Sequence, residues 1–268
     1  MITTRRGLLA LTGATAVMAM MGCSSSSTTE VKVGASPVPH ARILGFIKDN
    51  LAARAGISLT IVEYDDYVQP NEALASKELD ANYFQHLPYL EDQIAERRYP
   101  FAHGAGIHIE PYAAFSKKYQ AVADIPEGAA VAITNDASNQ ARGLKVLESV
   151  GLLKDVTLKT SVVSLTPDQN PKKLQFKENQ PEIIVQQIDD PGIDVAMVNG
   201  NFILSAGLST EKALAAEKVE GNPYANILVW RKDDAKPGVA KLDELLHSSE
   251  VADFIRTTWP SGDVTPGA

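Results

Sequence analysis

The feature of this sequence that most constrains its fold is an alternation of strand-like and helix-like segments that starts at Val31. Between the strand-like segments, apolar residues recur at helical spacing, as Ile43, Leu44 and Ile47 do. The strand-like segments cover residues 31–35, 59–64, 129–134, 194–198 and 225–230. Alternation over this length is typical of an α/β protein, and it predicts parallel sheets with helices on both faces.

Two shorter segments have less regular patterns. Pro70 and Asn71 predict the start of a short helix that continues to Leu74, with Asn71 as its N-cap. Residues 80–86 predict a loop, because aromatic and imidazole side chains crowd a stretch where a core would hold aliphatic ones. This loop either lines an apolar slot for a ligand or plugs the base of the fold, and periodicity does not decide between the two.

The first thirty residues have the layout of an export signal. Arg5 and Arg6 precede an apolar run over residues 7–21, which is too short to span a bilayer comfortably. Cys23, the only cysteine of the chain, follows this run and precedes four serines. This order is typical of a bacterial lipoprotein whose cysteine becomes the first residue after cleavage and carries the lipid on its sulfur.

The export signal therefore predicts a signal peptide over residues 1–22 and a lipidated tether over residues 23–30. Two or more acyl chains on Cys23 would give stable anchoring, so we expect a protein at the extracytoplasmic face of a cell membrane. Export through the general secretory route and export through a twin-arginine route both stay open. So does the plainer alternative in which Cys23 is an ordinary buried cysteine behind a signal peptide.

Charge and cysteine content narrow the function further. The full chain has a net charge of −8, and removing Arg5 and Arg6 with the signal leaves 23 basic residues against 33 acidic ones. A net charge of −10 argues against nucleic acid as a partner and against broad contact with anionic lipid. With Cys23 acylated no thiol is left for a disulfide, so stability must come from the apolar core.

A candidate anion site follows the strand-like segment 129–134. In open α/β sheets, ligands bind outside the carboxyl ends of the strands. Ser138 or Asn139 is expected to cap the helix that follows, and Arg142 is expected in its first turn, where the helix dipole disfavours a cation. A guanidinium beside free helix amides makes a good receptor for a carboxylate. The alternative is a solvated surface arginine.

Signs of catalysis or of a bound metal or cofactor are weak in this sequence. It contains no Gly-x-Ser-x-Gly motif, phosphate loop or dinucleotide fingerprint. Its histidines lack the paired spacing of metal ligands and are expected to pack or form hydrogen bonds; they are His40, His86, His103, His108 and His247. We therefore expect a protein without enzymatic activity, metal or cofactor.

Several motifs, in order along the chain, resemble those of the methionine-binding lipoproteins of bacterial ABC importers. The most specific is Phe84-Gln85-His86 followed by Pro88-Tyr89-Leu90. The resemblance runs from about Val31 to Trp230. The other motifs are Pro39-His40-Ala41, residues 66–74, residues 135–142, Val198-Asn199-Gly200-Asn201 and Pro223-Tyr224-Ala225-Asn226.

The resemblance implies a two-lobed periplasmic-binding-protein fold with a ligand cleft between the lobes. It places lobe I at residues 31–111 and 226–268 and lobe II at residues 112–225. The crossings between lobes would lie near residues 110–112 and 223–226. The implied partners are L-methionine or a close relative, an ABC permease and its ATPase.

The resemblance also implies roles for seven side chains. Arg142 would hold the carboxylate of the ligand, while Asn199 and Asn226 would hydrogen-bond its backbone. Four rings would surround the thioether, namely Tyr67, Phe84, His86 and His108. A polarizable sulfur gains about 0.3–1.5 kcal/mol against an aromatic edge, which an aliphatic wall does not supply.

Three residues depart from the family pattern and bear on ligand choice. Tyr112 follows Glu110-Pro111 where the family has a different run, Arg42 replaces a usual acidic residue, and Tyr83 lies where a small residue is also common. Free methionine, its D-form, a methionyl dipeptide and another small amino acid therefore stay open as ligands. A surface enzyme on the same scaffold and an adhesin that binds through an exposed face are the alternatives from other classes.

Overall fold

The computed structural model describes residues 28–267. The predicted signal peptide, Cys23 and most of the predicted tether lie outside these residues. Within the described part, no helix has the length and apolar character needed to cross a bilayer.

The described residues form eleven strands and eight α-helices, in broad agreement with the alternation read from the sequence. The strands β1–β11 are, in order, Thr29–Ala35, Ile57–Glu63, Ala81–His86, Phe101–Ile109, Ala113–Phe115, Ala130–Thr134, Gln175–Asn179, Val195–Val198, Ala215–Ala216, Asn226–Arg231 and Thr265–Pro266. The helices α1–α8 are, in order, Arg42–Asn50, Gln69–Ala75, Leu87–Arg97, Ala137–Ser149, Pro181–Ile184, Gly200–Ser205, Pro237–Leu246 and Ser249–Thr258.

The strands form two separate sheets, and both are mixed rather than parallel as expected. The first has the order β11-β4-β10-β3-β1-β2, and the second has the order β7-β6-β8-β5-β9. The pairs β1–β2, β1–β3, β6–β7 and β6–β8 are parallel. The strands next to the crossings, β4, β5, β9 and β10, pair antiparallel, because the chain leaves one sheet and returns to it in the opposite direction. We call the first sheet with its helices lobe I and the second sheet with its helices lobe II.

Each sheet has its own apolar core. In lobe I, Val31 and Val33 of β1 pack against the Ile43 and Ile47 face of α1, and all four side chains are fully buried. In lobe II the core includes Leu144 from α4, together with residues of β6 and β8. Burying a side chain of this size contributes about 1.5–3 kcal/mol, so each lobe has a separate source of stability.

The chain crosses between the lobes twice, and the two crossings touch each other. The first runs from β4 to β5 through Glu110, Pro111 and Tyr112, and the second runs from β9 to β10 through residues 217–225. The backbone N–H of Glu217 donates to the carbonyl oxygen of Tyr112 at 2.9 Å. The crossings therefore form one paired connection at the base of the space between the lobes.

Residues 81–86 form strand β3, which corrects the prediction of a loop there. The strand lies inside the first sheet between β1 and β10, and all six of its residues are buried. Asn82 Nδ2 and Gln85 Nε2 both donate to Asn71 Oδ1 at 2.8 Å. Asn71 is thus a buried residue inside α2 and not its N-cap. Because these amides form hydrogen bonds with one another, polar residues can be buried in this central strand. The strand therefore lacks the run of apolar residues by which a buried strand is usually predicted from sequence.

Candidate functional site

A cavity with about 340 Å³ of empty volume lies between the lobes. Its walls come from the carboxyl end of β3, the N-terminal parts of α3, α4 and α6, the first crossing, the start of β10 and the segment just before α2. The lining residues are Tyr67, Phe84, Gln85, His86, Tyr89, Glu110, Asn139, Arg142, Asn199, Gly200, Asn201 and Asn226.

Six of the seven side chains predicted for the site meet at this cavity, namely Arg142, Asn199, Asn226, Tyr67, Phe84 and His86. His108 is not among the lining residues and is completely buried behind Glu110. Its Nδ1 accepts a hydrogen bond from the Tyr83 hydroxyl, and its Nε2 donates to Glu110 Oε1 at 2.7 Å. The structure therefore places His108 in contact with a cavity residue rather than on the cavity wall.

Arg142 projects from the second turn of α4 and not from the first turn as expected, because the helix begins already at Ala137. The helix begins after Asp136, whose side chain accepts from the Asn139 N–H, so neither Ser138 nor Asn139 is the cap. The guanidinium lies 4.4 Å from the centre of the Tyr224 ring, a cation–π arrangement.

The main partner of Arg142 is Glu217. Nε of Arg142 donates to both Glu217 carboxylate oxygens at 3.0 Å, and Nη2 donates to Oε2 at 2.6 Å. Nη2 also donates to the carbonyl oxygen of Glu110 at 2.8 Å. Burial acts to lower the pKa of Arg142, but the Glu217 charge and hydrogen bonds outweigh it and keep the pKa above its ordinary value.

Glu110 lines the cavity, although in the sequence it marked only a predicted crossing. Its side chain is 5% exposed, and Oε1 accepts from His108 Nε2 and lies 3.3 Å from His40 Nε2. Burial raises the pKa of Glu110, and the nearby His40 and Arg142 lower it in part. The sequence feature that could have identified Glu110 as a site residue is its position at a predicted crossing, because a side chain there can contact both lobes.

His40, His108 and Glu110 bring three ligand-type atoms within 4.8 Å of one another, a cluster that sequence spacing did not predict. Burial lowers the pKa of His40 to about 4 and that of His108 to about 3. Both imidazoles are therefore neutral near pH 7, and each can donate one hydrogen bond. His108 Nε2 donates to Glu110 Oε1, and His40 Nε2 donates to Asn226 Oδ1. Since both Nε2 atoms already have hydrogen-bond partners in the protein, we interpret the cluster as a hydrogen-bond network.

Polar side chains from the two lobes meet at Asn139. His86 Nδ1 accepts from the Tyr89 N–H and caps α3, which leaves the proton on Nε2 to be donated to Asn139 Oδ1 at 3.0 Å. Asn199 Nδ2 donates to the same oxygen at 3.0 Å. Burial, together with the charge of Arg142, lowers the pKa of His86 to about 3, so this ring is neutral. Asn199 Oδ1 is buried and has no hydrogen-bond partner among residues 28–267.

Aromatic rings form the other side of the cavity. The Tyr67 ring lies 5.9 Å from Phe84 and 5.8 Å from Tyr89, measured between ring centres. The Tyr67 hydroxyl donates to Asn201 Oδ1 of lobe II at 2.5 Å. Tyr89 also lines the cavity, although in the sequence it stood only within the Pro88-Tyr89-Leu90 motif and was not predicted as a site residue.

The three departures from the family pattern all lie away from the cavity surface. Tyr112 is buried in the lobe II core, where its hydroxyl donates to the Met197 carbonyl at 3.0 Å. The guanidinium of Arg42 lies 5.4 Å from the Trp259 ring. Tyr83 bonds to His108 as described above. None of the three is a lining residue of this cavity.

Comparison with known proteins gives consistent matches over nearly the whole described chain. The family model for NlpA lipoprotein matches residues 31–268. The methionine-binding lipoprotein MetQ of Bacillus subtilis strain 168 is 36% identical over 266 residues, which are 97% of this chain and 96% of that protein.

Two solved structures show the same fold. A nutrient-binding protein from Burkholderia cenocepacia bound to methionine has a TM-score of 0.82 and 34% identity, covering 89% of this chain and 100% of that one. An ABC transporter periplasmic substrate-binding protein from Coxiella burnetii has a TM-score of 0.81 and 33% identity, covering 88% and 100%. The α/β architecture with two lobes and a cleft is shared with these structures.

Proposed function

The chain belongs to the NlpA lipoprotein family, and from this we propose that it captures methionine outside the cytoplasm and delivers it to an ABC importer. Its Bacillus subtilis relative is named a methionine-binding lipoprotein, and its Burkholderia cenocepacia relative was solved with methionine bound. The observation that carries the proposal is one cavity that combines a buried guanidinium, a buried carboxylate and an aromatic wall. A zwitterion with an apolar side chain needs these three kinds of contact.

In this proposal the two ends of the ligand backbone meet different groups. The carboxylate meets Arg142, and the ammonium meets Glu110 and Asn199. The unpaired Oδ1 of Asn199 supports this orientation, because a buried acceptor without a donor costs about 1–3 kcal/mol and an ammonium would supply one. The carboxamide of Asn226, whose Oδ1 already accepts from His40, offers its N–H groups to the ligand.

The thioether would lie against Tyr67, Phe84 and Tyr89. These rings supply edges for a polarizable sulfur and no charge to pair with a cationic side chain. His86 is neutral and turned toward Asn139, so we assign it to holding the two lobes together beside the ligand. We assign His108 to positioning Glu110, which revises its expected contact with the thioether.

The partners and the anchor are part of the same proposal. We propose a lipid on Cys23, an ABC permease with its ATPase as receivers of the ligand, and capture and release without a chemical step. Lobe bounds at residues 31–111, 112–225 and 226–268 are supported by the change of sheet at each crossing.

The experiment that tests the proposal is a calorimetric titration of the purified protein with L-methionine, D-methionine, norleucine, leucine, lysine and a methionyl dipeptide. We expect methionine to bind most tightly and norleucine to bind somewhat more weakly, by the sulfur–aromatic contribution of about 1 kcal/mol. Leucine should fit much less well, and lysine should not bind. Tight binding of lysine, or no binding of any methionine derivative, would overturn the proposal.

A further inference from the structure

The charge of Arg142, which lines the cavity, is paired with Glu217, which does not line it. Among the twelve lining residues, Arg142 is the only arginine or lysine. Glu217 does not line the cavity, yet its side chain is only 15% exposed and contacts the guanidinium through both oxygens. The positive charge that faces the cavity is therefore already paired from behind by a carboxylate of the chain itself.

The hydrogen bonds of Arg142 show which part of the guanidinium is left for a ligand. Nε–H is used by Glu217, and Nη2 is used by Glu217 and the Glu110 carbonyl. Nη1 has no hydrogen-bond partner among residues 28–267, and it is not one of the unpaired buried polar atoms of that range. Arg142 lines the cavity and Nη1 is its guanidinium nitrogen without a protein partner in that range, so we infer that a ligand meets the guanidinium end-on at Nη1 and not along the Nε edge.

Glu217 is also held in place independently of Arg142. Its backbone N–H donates to the Tyr112 carbonyl at 2.9 Å, and its Oε2 accepts from the Tyr112 N–H at 3.3 Å. These contacts fix the carboxylate to the first crossing. Its pairing with Arg142 is therefore built into the junction of the two crossings and does not depend on a free surface side chain.

We propose that Glu217 is a specificity-determining residue of the ligand site, because its carboxylate pairs with Arg142 and so weakens the preference of the site for a free carboxylate over an uncharged carbonyl group. This inference rests on the function proposed above. An arginine whose charge is already paired gains little from a second anion, which Glu217 also repels. Nη1 can donate a hydrogen bond either to a carboxamide oxygen or to a carboxylate oxygen, and the Glu217 charge reduces the difference in strength between the two.

The test compares L-methionine with L-methioninamide, which replaces the carboxylate by a carboxamide. Calorimetry gives the ratio of the two dissociation constants for the natural protein, for Glu217→Gln and for Glu220→Gln. Glu220 is an exposed acid in the same crossing, so its variant removes the same charge without touching Arg142. We expect the ratio of amide to acid to rise at least about tenfold in Glu217→Gln, since the ligand carboxylate becomes the partner of a buried charge. It should stay unchanged in Glu220→Gln.

A ratio that is unchanged or lower in Glu217→Gln would overturn the inference; a lower ratio would show that Glu217 serves only to hold the side chain of Arg142 in position. If Glu217→Gln does not fold, Glu217→Asp draws the carboxylate back by one methylene, and a smaller rise in the same ratio is expected. An unchanged ratio in the folded Glu217→Asp variant would then count against the inference. Failure of the natural protein to bind methionine would instead overturn the proposed function.

Discussion

At the scale of single residues, the site is governed by buried charges whose partners lie far away in the sequence. Arg142 and Glu217 are separated by 75 positions and come together only because both crossings lie beside α4. Local spacing identified Arg142 as a candidate because a cation lay close to a helix N-terminus. No local pattern identified Glu217, since a long-range ion pair leaves no trace in periodicity.

Removing Arg142 should harm both binding and stability. Arg142→Gln leaves the Glu217 carboxylate largely buried without its partner, and losing one partner of such a pair typically costs about 2–5 kcal/mol. We expect methionine to bind at least about 30-fold more weakly and the melting temperature to fall. The double variant Arg142→Gln with Glu217→Gln should recover much of the melting temperature but only the part of the affinity that is lost to repulsion by Glu217, since the hydrogen bond from Nη1 is still missing. Calorimetry and thermal unfolding measure the two effects, and full recovery of affinity in the double variant would contradict the role of Arg142.

Gly200 is the second residue with a sharp expectation. A Cβ at this position would lie 2.4 Å from the Cβ of Glu110, so the start of α6 can approach the first crossing only with glycine there. We expect Gly200→Ala to destabilise the protein by about 1–3 kcal/mol and to weaken methionine binding, because Glu110 must shift. Gly45→Ala is the control: it lies in α1 with no neighbouring atom within 4 Å of the added Cβ. Urea unfolding that shows equal stability for both variants would contradict this expectation.

At the scale of elements, the sequence predicted the strands and helices whose apolar pattern is simple. The strand β1, the helix α1 and the pair β6–α4 lie where periodicity placed them, within a few residues. Strand β4 was not predicted, because Gly104 and Gly106 interrupt its pattern. Tertiary packing explains why both residues are glycine. A Cβ at position 104 would clash with the side chain of Asp243, and a Cβ at position 106 would clash with that of Ala225.

The candidate site was predictable to a similar degree. Arg142 follows from its place after a strand, which is where α/β sheets bind ligands, whereas Asn199, Asn226 and Tyr67 were implied only by the resemblance to the family. Glu110 and Tyr89 were missed because nothing in the sequence distinguishes a buried carboxylate or ring that faces a cavity from one that packs in a core.

The N-cap of α4 offers a prediction at this scale. The Asp136 side chain accepts from the Asn139 N–H at 2.9 Å and from Asn139 Nδ2 at 3.0 Å. Asp136→Ala should therefore cost about 1 kcal/mol of stability and should also weaken methionine binding, since Asn139 then loses the contact that orients it toward His86 and Asn199. Replacing the exposed Asp253 by alanine is a control without a contact to the cavity. Unaltered affinity in a destabilised Asp136→Ala variant would show that the cap serves α4 alone.

At the scale of the whole molecule, the buried histidines predict a loss of stability on acidification. The pKa values of His40, His86 and His108 in the folded protein are about 4, 3 and 3, below the ordinary 6.5. As the pH falls below 6.5, the unfolded chain takes up these protons and the folded protein does not, so the free energy of unfolding decreases until the folded pKa values are reached. Glu110, whose pKa is raised by burial, offsets part of this effect because the folded protein binds that proton first.

With about two protons of net difference, the free energy of unfolding should fall by up to about 3 kcal/mol per pH unit between pH 6 and pH 4.5. Urea unfolding at several pH values measures this slope. A free energy of unfolding that stays constant from pH 7 to pH 4.5 would contradict the neutral, buried state of the three rings.

The proposed anchor is tested by replacing the cysteine that would carry the lipid. Cys23→Ser should abolish acylation and move the protein from the membrane fraction to the soluble fraction, while methionine binding stays as it was, since Cys23 precedes the first strand. Fractionation and intact-mass measurement decide the matter. A Cys23→Ser protein that still sediments with membranes and carries the same added mass would remove the lipid anchor from the proposal.

The placement of the first strand has a mechanical consequence. Strand β1 begins at Thr29 and lies in the six-stranded sheet, so a lipid on Cys23 would hold lobe I within roughly 20 Å of the bilayer even with the intervening chain fully extended. Lobe II is joined to lobe I covalently only through the two crossings. If Cys23 carries the lipid and the cleft opens to release the ligand, lobe II would be the part that moves relative to the membrane, and the length of the tether would set the height of the ligand above the bilayer.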